Sequence, residues 1–374
     1  MSGPAPDPAP VPAAPAGPAV CLADVERLAA DRLPAEVRDF VAGGSGDESV
    51  QAANRAALDR VRLVPRVLAG TDVADPSGPL LRGTAAMPVV VAPMAYQRLM
   101  HPDGELAAAR AAAKAGIPYA ISTLSSYPLE EIAAVGGTSW FQLYWQRDRA
   151  QVLDLVRRAE EAGCEALVVT VDVPVMGRRL RDLRNGFTLP ADVTAANLGG
   201  VPLAATHTRQ PGASGVATHT GQAFDPAIGW ADLAWLRERT TMPLVLKGVL
   251  DPRDAVRAVE IGAEAVVVSN HGGRQLAGAP ASVTALPPVV EAVGGRCSVL
   301  LDSGIRSGTD VLRALALGAD GVLLGRPVLW GLAADGEAGA ARVFELLQAE
   351  LREALVLSGC PDLGAARDLA TVLG

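Results

Sequence analysis

The residues able to do chemistry in this 374-residue chain stand at the ends of short apolar runs. Gln142 and Tyr144 close WFQLY, Thr170 and Asp172 close ALVVTVD, and Lys247 closes PLVLK. Ser269, Asn270 and His271 close AVVVSNH, Asp302 follows SVLL, and Arg326 follows GVLLG. His271 is succeeded by Gly272 and Gly273, which let backbone approach a ligand closely. Arg274 comes next, near enough to share one site. Asp172 is suited to orient the imidazole and raise its basicity through a charge-assisted hydrogen bond; the plainer reading is a helix N-cap. Lysine is almost never fully buried unless paired. At the end of an apolar run, Lys247 suits stabilising negative charge on a reduced cofactor ring, against the plainer reading of a side chain reaching out to solvent. Asp302-Ser303-Gly304-Ile305-Arg306, with Gly325-Arg326 one run later, reads as a phosphate cradle of glycine amides and arginines. These features together point to a phosphorylated cofactor. No GxGxxG follows the first run, which argues against a dinucleotide fold. Spacing alone leaves flavin and pyridoxal phosphate both open. The remaining histidines, His101, His207 and His219, read as loop or surface residues.

Elements that could position such a set follow from the alternation of the text. Eight runs, Pro88–Pro93, Tyr119–Thr123, Trp140–Tyr144, Ala166–Asp172, Pro243–Gly248, Ala265–His271, Ser298–Gly304 and Gly321–Arg326, are apolar on both faces, as buried parallel strands are. Amphipathic stretches lie between them, among them Gly104–Ala115, Arg149–Ala162, Pro252–Ile261 and Thr309–Leu317. Eightfold strand–helix alternation predicts an α/β fold of the (β/α)8 TIM-barrel type, with its active site at the carboxyl ends of the strands. The fourth and fifth runs are separated by a long insertion, rich in Gly, Ala, Thr, Pro and His over Asn197–Phe224. Residues 190–228 therefore read as a mobile lid loop. Two helical segments, Leu22–Asp31 and Pro34–Val41, precede the barrel and end at Gly43-Gly44-Ser45-Gly46. Residues 1–20 hold seven prolines and read as a disordered tail. That leaves 21–374 as a single domain.

Composition narrows the partners. Apolar residues at 49% and charged residues at 20% are ordinary for a soluble globular protein. A net charge of −8 with no basic stripe argues against nucleic acid and anionic membranes. Cys21, Cys164, Cys297 and Cys360 show no CxxC or metal-type spacing, which suits reduced thiols in the cytoplasm and no metal site.

The motifs SNHGGRQL, WFQLYWQRDR, TVDVPVMGRR, VLKGV and DSGIRSGTDVLRALALGADGVLLGRP occur in one order. On these the chain resembles the FMN-dependent α-hydroxy acid oxidase and dehydrogenase family, over about residues 22 to 370. The resemblance implies FMN, with Pro93, Met94 and Ala95 backing the flavin ring and Ser122, Gln142 and Thr170 bonding its polar edge. Lys247 would sit by the N1–O2 region, and Ser269 would add a contact. Asp302, Ser303, Gly304, Ile305 and Arg306, with Gly325 and Arg326, would hold the ribityl chain and phosphate. Arg274, Arg179 and Tyr144 would bind the substrate carboxylate and hydroxyl, and His271 would be the catalytic base. The family's usual N-terminal tyrosine is replaced by Phe40, losing one hydrogen bond of about 1 kcal/mol and implying a pocket for an aromatic substrate. Met94 stands where threonine is common.

LPAEVRDFVAGGSG, APMAYQRLMHPDGELAAARAA, STLSSYPLEEIAAVGG and RRLRDLRNGFTLP are similar to members that oxidise hydroxymandelates. The implied reaction takes an aromatic (S)-2-hydroxy acid to the 2-oxo acid, with dioxygen, suggested by Ala95, reduced to hydrogen peroxide. A homotetramer is also implied. Oxidation of an aliphatic acid such as lactate or glycolate, a non-redox FMN barrel isomerase and an FMN-retaining binding protein are the competing readings.

Overall fold

Along each apolar run, successive side chains face two different cores. Val90 points into the barrel with Ala120, Val168, Val245, Val267 and Leu323, while Val89 and Val91 pack outward against the helices. In the computed structural model, which describes residues 18–199, 207 and 214–373, eight parallel strands close into a barrel in chain order. They span Val89–Val91, Tyr119–Ser122, Ser139–Leu143, Ala166–Thr170, Leu244–Val249, Ala265–Val268, Ser298–Leu301 and Gly321–Leu324. Fully burying one such Val or Leu side chain is worth roughly 1.5–3 kcal/mol, so a strand buried on both faces is held from two sides. Register sets the polar residues in layers at the mouth: Ser122 lies beside Gln142, and Thr170 beside Lys247. The opposite end is closed by a hairpin of Gly78–Leu80 and Gly83–Ala85, whose Leu80 and Ala85 join the interior cluster.

The surrounding helices start where their caps dictate. Asp148 accepts from Ala150 N at 2.9 Å ahead of Arg149–Glu161, and Asp251 accepts from Arg253 N at 2.8 Å ahead of Pro252–Glu260. A cap of this kind is worth about 1 kcal/mol. Two N-terminal helices matter for the site. Ala35–Ala42 carries Phe40 to the mouth, and Ser49–Arg60 packs on the turn His271–Gly273.

The insertion departs from the sequence reading. Residues 200–206 and 208–213 of the expected lid lie outside the described residues, as do residues 1–17 of the expected tail. Gly215–Ala223 is an α-helix, started by Ser214, whose hydroxyl accepts from Ala217 N at 3.3 Å. Its buried positions, Val216, His219, Thr220 and Ala223, share one face at helical spacing. His219 is therefore a buried helical residue, 1% exposed, and not the surface residue its composition suggested. Small and polar neighbours hid that face in the sequence. His207 engages the Leu189 carbonyl at 3.0 Å, and half-buried His101 accepts from Asp103 N at 3.2 Å.

Candidate active site

His271 follows the sixth strand with φ at +58°, a left-handed conformation that a residue bearing a Cβ adopts only under constraint. The constraints are visible. His271 N donates to Ser269 Oγ at 3.0 Å, and Gly272 N donates to Ser303 Oγ at 2.9 Å. The amides of Asn270 and Asn54 bond reciprocally at 2.7 and 3.0 Å, and Gly273 N donates to Asn270 Oδ1 at 3.0 Å. The turn is thus tied to the Ser49–Arg60 helix.

The imidazole Nδ1 meets Asp172 Oδ1 at 3.0 Å. With Nδ1–H donating to a carboxylate, Nε2 is left as the proton acceptor. Burial opposes ionisation of Asp172, yet His271 and Lys247 together hold its carboxyl below the ordinary range. Asp172 fits there because Gly248, at φ +111°, lies against it; a Cβ on Gly248 would come within 2.6 Å of the Asp172 side chain. Lys247 is buried, with Nζ 2.7 Å from Asp302 Oδ2 and 2.9 Å from Ser269 Oγ. Burial lowers its proton affinity, but Asp302 and Asp172 more than compensate, so it is a stable cation. Neither plain reading of these two residues fits: Asp172 caps no helix, and Lys247 does not reach solvent.

His271, Lys247 and Asp302 border a cavity of about 1320 Å³, mouth included, at the carboxyl ends of the strands. Pro93, Met94 and Ala95 line it, as do Thr170, Lys247, His271 and Asp302. Ser303, Gly304, Ile305, Arg306, Gly325 and Arg326 form another stretch of wall; Phe40, Tyr144, Arg179 and Arg274 complete the set. Ser122, Gln142, Asp172 and Ser269 are not on the wall. Gln142 donates to Thr170 Oγ1 at 3.0 Å and accepts from Ser122 Oγ at 3.3 Å, a chain that fixes Thr170 from behind.

Four guanidiniums at this cavity, Arg179, Arg274, Arg306 and Arg326, have no carboxylate within ion-pairing distance among the described residues. Arg326 donates to the Val41, Gly272 and Gly43 carbonyls at 3.0, 3.0 and 3.1 Å, and Arg274 to those of Val41 and Gly43 at 3.2 and 2.6 Å. Burial pushes all four below the usual arginine range, Arg326 to about 9, with Arg306 and Arg179 adding repulsion. Arginine stays protonated in proteins, so the four call for anions: Arg306 and Arg326, which also reaches the Gly272 carbonyl beside the histidine, follow the seventh and eighth strands, and Arg179 and Arg274 form the other pair. Phe40 supports the latter pair. Its ring stacks on Phe187 at 4.4 Å and carries the Arg179 and Arg274 guanidiniums at 5.8 and 5.4 Å from its centroid.

A family model described as FMN-dependent dehydrogenase matches residues 29–371. The chain belongs to that family. Among its relatives, 4-hydroxymandelate oxidase of Amycolatopsis orientalis is 58% identical over 95% of this chain and 99% of that protein. L-lactate oxidase of a Nostoc species is 49% identical, covering 91% and 95% of the two chains. A crystal structure of mandelate oxidase with (S)-4-hydroxymandelic acid superposes with a TM-score of 0.93 at 57% identity, covering 95% of this chain and 99% of that one. FMN is the family's cofactor, and the residues present fit it. The unneutralised Arg306 and Arg326 would suit its phosphate, and buried Lys247 offers a cation at the fifth strand's end.

Several wall residues escaped sequence reading. Phe224, stacked on Tyr144 at 4.7 Å, and Val216 and Thr220 come from the insertion. Their signal was a helical face diluted by Gly, Ala and Thr. Asn54 had no signal, because its partner Asn270 is distant in sequence. Gln275 stood in the SNHGGRQL motif, but nothing in its type assigned it a task. The pairing of Lys247 with Asp302 was also unforeseen; Asp302 had been read with the phosphate loop alone.

Proposed function

We propose that this protein is an FMN-dependent oxidase of aromatic (S)-2-hydroxy acids, mandelate or 4-hydroxymandelate, forming benzoylformate or its 4-hydroxy counterpart. The observation that carries the reading is a carboxylate-held imidazole sharing one cavity with two half-buried, unneutralised guanidiniums on an aromatic ring. Bound FMN supplies the two-electron acceptor, and dioxygen takes the electrons onward as hydrogen peroxide.

The chain's own residues do the rest. Arg179 and Arg274 grip the substrate carboxylate and fix its orientation. Tyr144, whose hydroxyl burial and Asp172 push up to about 12, stays protonated and donates to the substrate. His271 Nε2 takes the proton lost in oxidation, and Asp172 stabilises the imidazolium that results. Lys247 would place positive charge beside the flavin ring. Pro93, Met94 and Ala95 would back the ring; Thr170 would bond its polar edge, held from behind by Gln142 and Ser122, and Ser269 would act through Lys247. Asp302 holds Lys247, while Ser303 to Arg306, Gly325 and Arg326 would hold the ribityl phosphate.

Aromatic preference follows from the wall that Phe40, Phe224, Met176 and Leu99 make around the substrate end of the cavity. The names of the mandelate-oxidising relatives support the same reading. Residues 21–374 form one catalytic unit, to whose cavity wall the insertion contributes through its helix. A homotetramer in the cytoplasm fits the family and the four free cysteines.

The test is a substrate panel with peroxide detection. The kcat/KM for (S)-mandelate and (S)-4-hydroxymandelate should exceed that for lactate and glycolate by roughly 100-fold, the discrimination an apolar pocket can reach. Equal values for aromatic and aliphatic acids would contradict the aromatic assignment.

A further inference from the structure

Asp172 has a problem of location. One carboxylate oxygen bonds His271, but Oδ2 is buried and has no hydrogen-bond partner among the described residues. The loop that follows, from Val171 to Arg179, has no regular secondary structure, and its Val175 is 66% exposed. Backbone bonds pin the loop at its ends, Val171 N to the Lys247 carbonyl and Gly46 N to the Arg178 carbonyl, both at 2.9 Å, but among the described residues none holds 172–177 between them.

A side chain from the neighbouring loop supplies what is missing. Gln275 Nε2 donates to the Asp172 carbonyl and to the Val175 carbonyl, both at 2.9 Å. Its Oε1 accepts from Gly177 N at 3.0 Å. Both amide hydrogens and the oxygen are spent on the backbone of one segment. The amide has a single workable orientation, because flipping it would set oxygen against two carbonyls. The two backbones also touch. A Cβ on Gly177 would collide with the Arg274 carbonyl oxygen and approach Gln275 Cα to 2.8 Å.

We propose that Gln275 is a positioning residue: it clamps the loop carrying Asp172 and Arg179 to the turn carrying His271 and Arg274, and so holds Asp172 in register with His271. The proposal rests on the catalytic reading of His271 given above. Gln275 lines the cavity, but its polar atoms are all spent on the loop. It acts through Asp172, which makes its role separable from general structural support.

The experiment uses the FMN-loaded enzyme and anaerobic flavin reduction by (S)-mandelate. Gln275→Met keeps the length and packing of the side chain but cannot make the three bonds. Its reduction rate should fall roughly 10- to 100-fold, the cost of a misplacement near 1 Å. KM should move less than about threefold, and FMN content should stay at the wild-type level. In an Asp172→Asn background the same substitution should cost nothing further, because its effect runs through Asp172. Gly177→Ala, which wedges the loops apart from the other side, should give the same loss and the same absorption by Asp172→Asn, and serves if Gln275→Met does not fold. Wild-type reduction in Gln275→Met, a loss confined to KM, or a full multiplicative loss in the double variant would each overturn the proposal. His271→Ala run alongside keeps the two claims apart. An inactive His271→Ala with a normal Gln275→Met sinks only the clamp, whereas an active His271→Ala sinks the reading on which it rests.

Discussion

His271 and Ser303 are both non-glycine residues held at positive φ, +58° and +75°, within one hydrogen-bonded loop cluster at the cavity. Such conformations cost of order 1–3 kcal/mol each and persist only where the surroundings over-determine them. Those surroundings are Ser269, Asn270 and the asparagine of a distant helix. Asp172 shows the electrostatic side of the same cluster. Its carboxyl is held below the ordinary aspartate value of 3.8 in the folded protein. A depressed carboxylate contributes stability that is fully present above its unfolded value and is lost as pH falls through its folded one. The stability of wild type relative to Asp172→Asn should therefore shrink as pH falls below 3.8. Urea unfolding across that range checks it; a gap that widens toward acid would show that the pairing with His271 is not what depresses the carboxyl. At this scale the sequence was informative wherever a polar residue broke an apolar run, as with His271, Asp172 and Lys247. It was silent on partnerships, such as Lys247 with Asp302, because nothing local in a strand says which neighbour its end will meet.

At the scale of elements, the eight strands were legible because each is apolar on both faces, and each forms within a few residues of the run that announced it. The Gly215–Ala223 helix was not, since Gly, Ala and Thr dilute its buried face. That helix leads directly into Phe224, which stacks on Tyr144 and closes one side of the cavity. An aromatic pair of this kind is worth about 1 kcal/mol beyond its buried area. Phe224→Ala should lower kcat/KM for mandelate roughly 5- to 10-fold, through that lost stacking, and should affect lactate much less. Equal losses for both acids would show that Phe224 supports Tyr144 alone and does not shape the aromatic end.

Over the whole molecule, charge is distributed against its sum. The chain carries −8, yet four half-buried guanidiniums gather at one cavity without carboxylate partners among the described residues. Anions at two positions would offset the repulsion among them, a cofactor phosphate at the last strands and a substrate carboxylate between Arg179 and Arg274. The barrel brings these positions together from loops scattered along the chain, and Phe40 reaches the second from a helix that precedes the barrel. The central claim is that His271 removes the substrate proton next to bound flavin. Anaerobic mixing of the FMN-loaded enzyme with (S)-4-hydroxymandelate tests it by loss of flavin absorbance at about 450 nm. Wild type should bleach, and His271→Ala should retain its flavin and stay yellow; bleaching of the variant at the wild-type rate would contradict the account.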